Sequence, residues 1–75
     1  MQATVGFFTE QSAQLWFSQY GDQVDVIAKK QMTPKGDGSP HLIVKMELPD
    51  DLSNSIYPEG EIMDQDFEEF DGTLL

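Results

Sequence analysis

Apolar and polar positions alternate along the middle of the chain with a period of two. The runs Val24-Asp25-Val26-Ile27-Ala28 and His41-Leu42-Ile43-Val44-Lys45-Met46-Glu47-Leu48 flank a Gly- and Pro-rich connection. That pattern predicts an antiparallel hairpin spanning residues 24–48. Val24, Val26, Ala28 and Met32 share one face of the first strand, and Leu42, Val44, Met46 and Leu48 one face of the second. For these faces to coincide, the numbers of paired residues must sum to an even value. The opposite face then sets Asp25, Ile27, Lys29 and Gln31 against His41, Ile43, Lys45 and Glu47. Two isoleucines beside two lysines on that face predict a cover that is both acidic and apolar.

Ahead of the hairpin, residues 3–8 alternate as a strand, with Ala3, Val5 and Phe7 on one side and Thr4, Gly6 and Phe8 on the other. Gly6 weakens the strand and marks a close backbone approach. Thr9 then reads as a helix N-cap, with Glu10 where the helix dipole favours an anion. Ala13, Trp16, Phe17 and Tyr20 follow at i, i+3, i+4 and i+7, one face of a helix over residues 10–20. Gly21 is placed for a left-handed stop. The expected core is Val5, Phe7, Ala13, Trp16, Phe17, Tyr20, Val24, Val26, Ala28, Leu42, Val44, Met46 and Leu48.

The hairpin connection, residues 33–40, contains Lys35-Gly36-Asp37-Gly38-Ser39. It lacks the spacing of a phosphate-binding P-loop, which also joins a strand to a helix rather than two strands. Pro49 ends the sheet. Residues 49–58 read as a linker that partly packs, with Leu52 and Ile56 one helical turn apart and Pro58 as a stop. Beyond it, Met63, Phe67, Phe70 and Leu74 form a helical stripe among Glu61, Asp64, Asp66, Glu68, Glu69 and Asp71. Acids suit the start of a helix, but Glu68, Glu69 and Asp71 oppose the dipole at its end. A helix this short is marginal in water and needs a surface to lie on.

The expected fold is therefore α+β: a β-α-β-β core with an antiparallel sheet and one packed helix over residues 1–48, a linker at 49–58, and an acidic amphipathic helix or tail at 59–75. A chain of 75 residues is one small domain, burying only about 60% of its unfolded surface. Below roughly 70–80 residues a lone core rarely supplies more than ~3–5 kcal/mol. Cysteine is absent, which removes disulfides and thiolate metal sites as staples. A homodimer is one remaining route to stability. No apolar run reaches the ~18–20 residues of a membrane span, and the N-terminus lacks the basic and apolar regions of a signal peptide. A cytoplasmic protein is the default expectation.

Charge is laid out unevenly. The net charge is −10, from fourteen acids and four lysines. Residues 1–45 hold four acids and all four lysines; residues 46–75 hold ten acids and no base. Such a segment does not bind a phosphate backbone, which needs Lys and Arg; it attracts a basic protein surface. Catalysis finds no support: His41 is the lone histidine, and no serine lies in a nucleophile elbow. Asp64-Gln65-Asp66 opens like an EF-hand loop but then departs from it, with Glu69 where that loop needs glycine. No cofactor or metal is implied. The expectation is a non-enzymatic interaction protein with Glu61, Met63, Asp64, Asp66, Phe67, Glu68, Glu69, Phe70 and Asp71 as partner-binding residues. Its sharpest form is an inhibitor that mimics nucleic acid in the basic groove of a nucleic-acid-binding protein, or docks there as a helix with Met63, Phe67 and Phe70 as anchors. The composition, though no motif, is similar to that of inhibitors encoded by phages and mobile elements. The competing expectation is a structural or assembly module whose acidity serves solubility. A further form has the segment fold back over Ile27 and Ile43, its acids neutralising Lys29 and Lys45.

Overall fold

The computed structural model describes residues 1–33, 36 and 38–75. Strand β1 (Gln2–Phe7) leads through Thr9 into helix α1 (Glu10–Tyr20), then come β2 (Asp25–Gln31), β3 (Leu42–Glu47), β4 (Gly60–Ile62) and β5 (Thr73–Leu74). The five strands form one antiparallel-paired sheet in the order β4-β1-β3-β2-β5. Because β3 pairs antiparallel with both β1 and β2, those two run parallel, and α1 crosses between them over one face. The chain is α+β. Among the described residues no helix is long and apolar enough to cross a membrane.

Helix α1 follows from its sequence signals. The Thr9 hydroxyl accepts a 2.9 Å bond from the Ser12 amide, so the cap works as expected. Gly21 departs from expectation. It stays right-handed, with φ −60°, and the chain runs on into a 3₁₀ turn, Gly21–Gln23, before β2.

The helix-side core is aromatic and sharply layered. Ala3, Val5 and Phe7 of β1 and Val44 and Met46 of β3 form its floor, with Leu48 just beyond; Ala13 and Trp16 close it from above. The Trp16 ring packs 5.8 Å from Phe7, 5.1 Å edge-on to Phe17 and 5.3 Å from Tyr20. Such pairs add to the area they bury. Residues 49–58 belong to this core as well. They form a 3₁₀ helix, Asp50–Ser55, that buries Leu52, and Ile56 just after it is buried too. Ser55 lends its hydroxyl as acceptor to the Trp16 indole N–H at 3.1 Å.

Register departs from expectation at one residue. Asp25 pairs with Glu47 and Val26 with Met46, both even sums, but Ala28 pairs with Lys45 and Lys29 with Val44, both odd. Ile27 is the extra residue of a β-bulge, and every side chain after it changes face. Lys29 and Gln31 therefore sit on the helix side, while Ala28 and Lys30 join Ile43 and Lys45 on the other face. Val26 and Ala28 drop out of the expected core. Val26 is 44% exposed, and Ile27 is 48% exposed rather than covered beside Ile43. Ile43, Leu52, Ile56 and Phe67 are buried in their stead, none of them in the expected core. In the connection between β2 and β3, the Gly36 and Gly38 backbones have φ of 76° and 84°, as turn glycines do. The rest of the reading of residues 33–40 falls on Pro34, Lys35 and Asp37, outside the described residues.

Candidate functional site

The second face of the sheet is crossed by the C-terminal segment, and there the acidic side chains collect. One row across that face is Gly6, Ile43 and Lys30. Chain 60–75 starts at one edge of the sheet, passes over this row and finishes at the other edge. β4 pairs Gly60, Glu61 and Ile62 with Phe7, Gly6 and Val5. Met63 adds one more rung, its amide donating to Thr4 O at 2.7 Å. A 3₁₀ turn, Phe67–Glu69, lies over β3. β5 pairs Thr73 and Leu74 with Gln31 and Lys30, and the Leu75 amide donates to Lys29 O at 2.9 Å. Residues 63–72 form a strap rather than the expected helix or free tail.

Its anchors are specific. Gly6 lets the strap approach: a β-carbon there would stand 2.7 Å from Pro40 Cγ and 3.0 Å from Met63 Sδ. Phe67 is 5% exposed. Lys30 Nζ lies 4.5 Å from the centroid of that ring, and donates to Phe67 O at 2.8 Å and Phe70 O at 3.0 Å. A cation thus sits at the carbonyl end of the 3₁₀ turn, adding to the Phe70 amide as donor to Phe67 O and serving Phe70 O just beyond the turn. Lys45 Nζ meets Glu68 Oε1 at 3.0 Å. The bond from Lys45, one from the Glu68 backbone amide and the nearby charges of Lys45 and Lys30 hold the Glu68 carboxyl below its ordinary value. Gly72 lets the chain turn beside β2, since a β-carbon there would stand 2.8 Å from Gln31 O.

The expected binding residues thus divide into two sets. Phe67 is buried against the sheet and the Met63 sulfur lies over Gly6, so two of the three apolar anchors of a docking helix are already occupied within the chain, and Phe70 is half-buried. Glu61, Asp64, Asp66, Glu69 and Asp71 remain exposed, as does Glu68 beside Lys45. Register places Asp25 and Glu47 on the same face, at the end near Gln2. Among the described residues, eight carboxylates therefore share this side of the molecule with two lysines, and the strap binds both of those. The fold-back over Ile43 is present, but Lys30 takes the part expected of Lys29. Residues 61–71 are not α-helical.

The residues the sequence reading missed are Lys30 and Gly72. Gly72 had a signal, because it interrupts the stripe between Phe70 and Leu74, where a helix would have to continue. Lys30 had none, because its face depends on the bulge. The opposite side of the sheet holds a cleft of about 350 Å³ between the start of α1 and the β2 end of the sheet. Its walls include Lys29, Gln31 and His41 above Phe17, Leu42 and Leu75. The Gln31 amide nitrogen lies 2.8 Å from His41 Nε2, which serves as its acceptor. His41 thus sits on the helix side rather than the face expected for it. Among the described residues, no three His, Asp or Glu side chains gather as a metal site. Compared with protein-family models, with curated proteins and with solved structures, the chain shows no match.

Proposed function

We propose that the protein is a non-enzymatic binding module that meets a basic protein surface with the outer side of its C-terminal strap. One observation carries this reading. Asp64, Asp66, Glu69 and Asp71 are exposed on a segment fixed at both ends by strand pairing, and the two lysines beneath it are bound to the strap itself. A fixed acidic surface with its counter-charges already engaged presents an uncompensated field, which attracts cations and speeds their encounter. The most concrete partner is the groove of a nucleic-acid-binding protein, whose lysines and arginines ordinarily meet phosphates. The longest dimension of the molecule, 31 Å, corresponds to about nine phosphates of one strand at ~3.4 Å each, which bounds such a contact.

The test compares two variants of equal net charge against a fluorescent lysine-rich peptide. One neutralises the strap, Asp64→Asn with Asp66→Asn and Asp71→Asn. The other neutralises Glu10→Gln, Asp22→Asn and Asp51→Asn elsewhere. The strap variant should bind about tenfold more weakly at low salt, a loss of ~1.4 kcal/mol, and its affinity should depend less steeply on salt. Equal losses in the two variants would mean that acidity acts only through total charge, and the reading fails. The assembly-module reading has its own support in the exposed Val26 and Ile27 beside the bulge. It predicts self-association that Ile27→Lys abolishes.

A further inference from the structure

The geometry points to a second site, on the face away from the strap: the cleft between α1 and β2 takes a small amphipathic monoanion, an aliphatic or single-ring carboxylate. Three lysines lie among the described residues. Lys30 and Lys45 are bound by the strap. The Lys29 ammonium has no hydrogen bond or ion pair with any described residue, in a chain with fourteen acids. The bulge at Ile27 is what turns Lys29 to the helix side, where it lines the cleft. The cleft floor is apolar: Phe17 and Leu42 are only half-buried there, and Leu75 is held alongside by its amide bond to Lys29 O.

A volume of about 350 Å³ lies at the small end of the ~300–1,000 Å³ usual for ligand pockets. An apolar floor with a few convergent polar groups is the usual make-up of such a pocket. Here those groups are an ammonium with no partner among the described residues and the Gln31–His41 pair. Charge narrows the ligand further. Glu10 also lines the cleft, and the whole chain is strongly negative, so a polyanion such as a nucleotide is repelled while one carboxylate beside Lys29 is matched. The apolar tail then covers Phe17 and Leu42. This site shares only Leu75, at the strap's C-terminal end, with the acidic face and does not depend on the function proposed for it.

The probes are octanoate and 1-octanol, with the same tail and different heads, titrated into the native protein and followed by amide NMR shifts. Octanoate should shift residues 13–17, 29–31 and 42 saturably, and octanol should bind there more weakly by a factor of up to about five, as expected of one exposed charge pair. Lys29→Met, and Lys29→Gln as a second variant, should erase that preference while leaving the melting curve unchanged. Three results would each overturn the site: no saturable shift at these residues, equal binding of the two probes, or octanoate binding to the Lys29 variants as tightly as to the native chain.

Discussion

Lys29 and Lys30 are neighbours in sequence with opposite surroundings, and replacing each by methionine separates the strap's anchoring from simple charge. Lys30→Met removes the ammonium that donates to Phe67 O at 2.8 Å and Phe70 O at 3.0 Å and lies 4.5 Å from the Phe67 ring centroid. A hydrogen bond to a charged group is worth ~1.5–3 kcal/mol. Lys30 is half-buried, so water can partly re-solvate the two carbonyls, and the lower end of that range applies to the pair together. The cation–π contact adds ~0.5–1 kcal/mol. A methionine sulfur over the same ring returns ~0.5 kcal/mol. The net expectation is a loss of about 1.5–2 kcal/mol for Lys30→Met, against a total stability of roughly 4–11 kcal/mol for a chain of this length. Lys29→Met, whose ammonium has no partner among the described residues, should change stability by less than ~0.5 kcal/mol. Urea melts give both numbers from the midpoint at constant slope. Hydrogen exchange at the Met63 and Leu75 amides, which pair the strap's two ends to the sheet, reports the loosening locally. If the two variants are equally stable, Lys30 does not hold the strap.

Other substitutions probe the remaining supports. Ser55→Ala removes the acceptor of the buried Trp16 indole N–H and should cost ~1–2 kcal/mol by denaturant titration, with a changed tryptophan emission. Gly60→Ala places a β-carbon against Gly6 O and 3.1 Å from Gly6 C and Phe7 Cα. These are backbone atoms that cannot swing aside, so a loss of ~1–3 kcal/mol with early exchange of β4 amides is expected. Glu68 carries a pH signature. Its carboxyl is held below the ordinary 4.5 when folded, so its contribution is complete above that value and fades as pH falls below it. Native protein should therefore lose some stability on acidification that Glu68→Gln does not, seen by comparing melting curves at neutral and acid pH.

Where local chemistry decides, the chain reads plainly. Thr9 caps α1 because its hydroxyl has one nearby amide to serve. The aromatic stripe of Trp16, Phe17 and Tyr20 finds the face of β1 and β3 because those strands alternate cleanly. Gly6 marks the approach of Pro40 and Met63. The reading ends at Ile27. One inserted residue exchanges the faces of Lys29 and Lys30, and no period in the sequence distinguishes a bulged strand from a regular one. The helical C-terminal stripe misled for a different reason. Met63, Phe67 and Phe70 must all reach one surface, and an extended strap with a single turn at Phe67–Glu69 meets that need as well as a helix would.

What favours the strap is the backbone. A helix laid across the second face would cover Ile43 but leave the outer edges of β1 and β2 without partners, and open edges carry unpaired N–H and C=O groups that invite other chains. The strap covers the face and both edges with one segment: β4 pairs Val5–Phe7 on one side and β5 pairs Lys30–Gln31 on the other. It also removes the conflict between Glu68, Glu69 and Asp71 and a helix dipole, since only one 3₁₀ turn remains and Lys30 sits at its carbonyl end. With Met63 and Phe67 turned inward and the edges paired, the acids have nowhere to go but outward. The acidic face is thus a consequence of how the sheet is closed, and loosening the closure at Lys30 should disperse the carboxylates that the proposed partner meets.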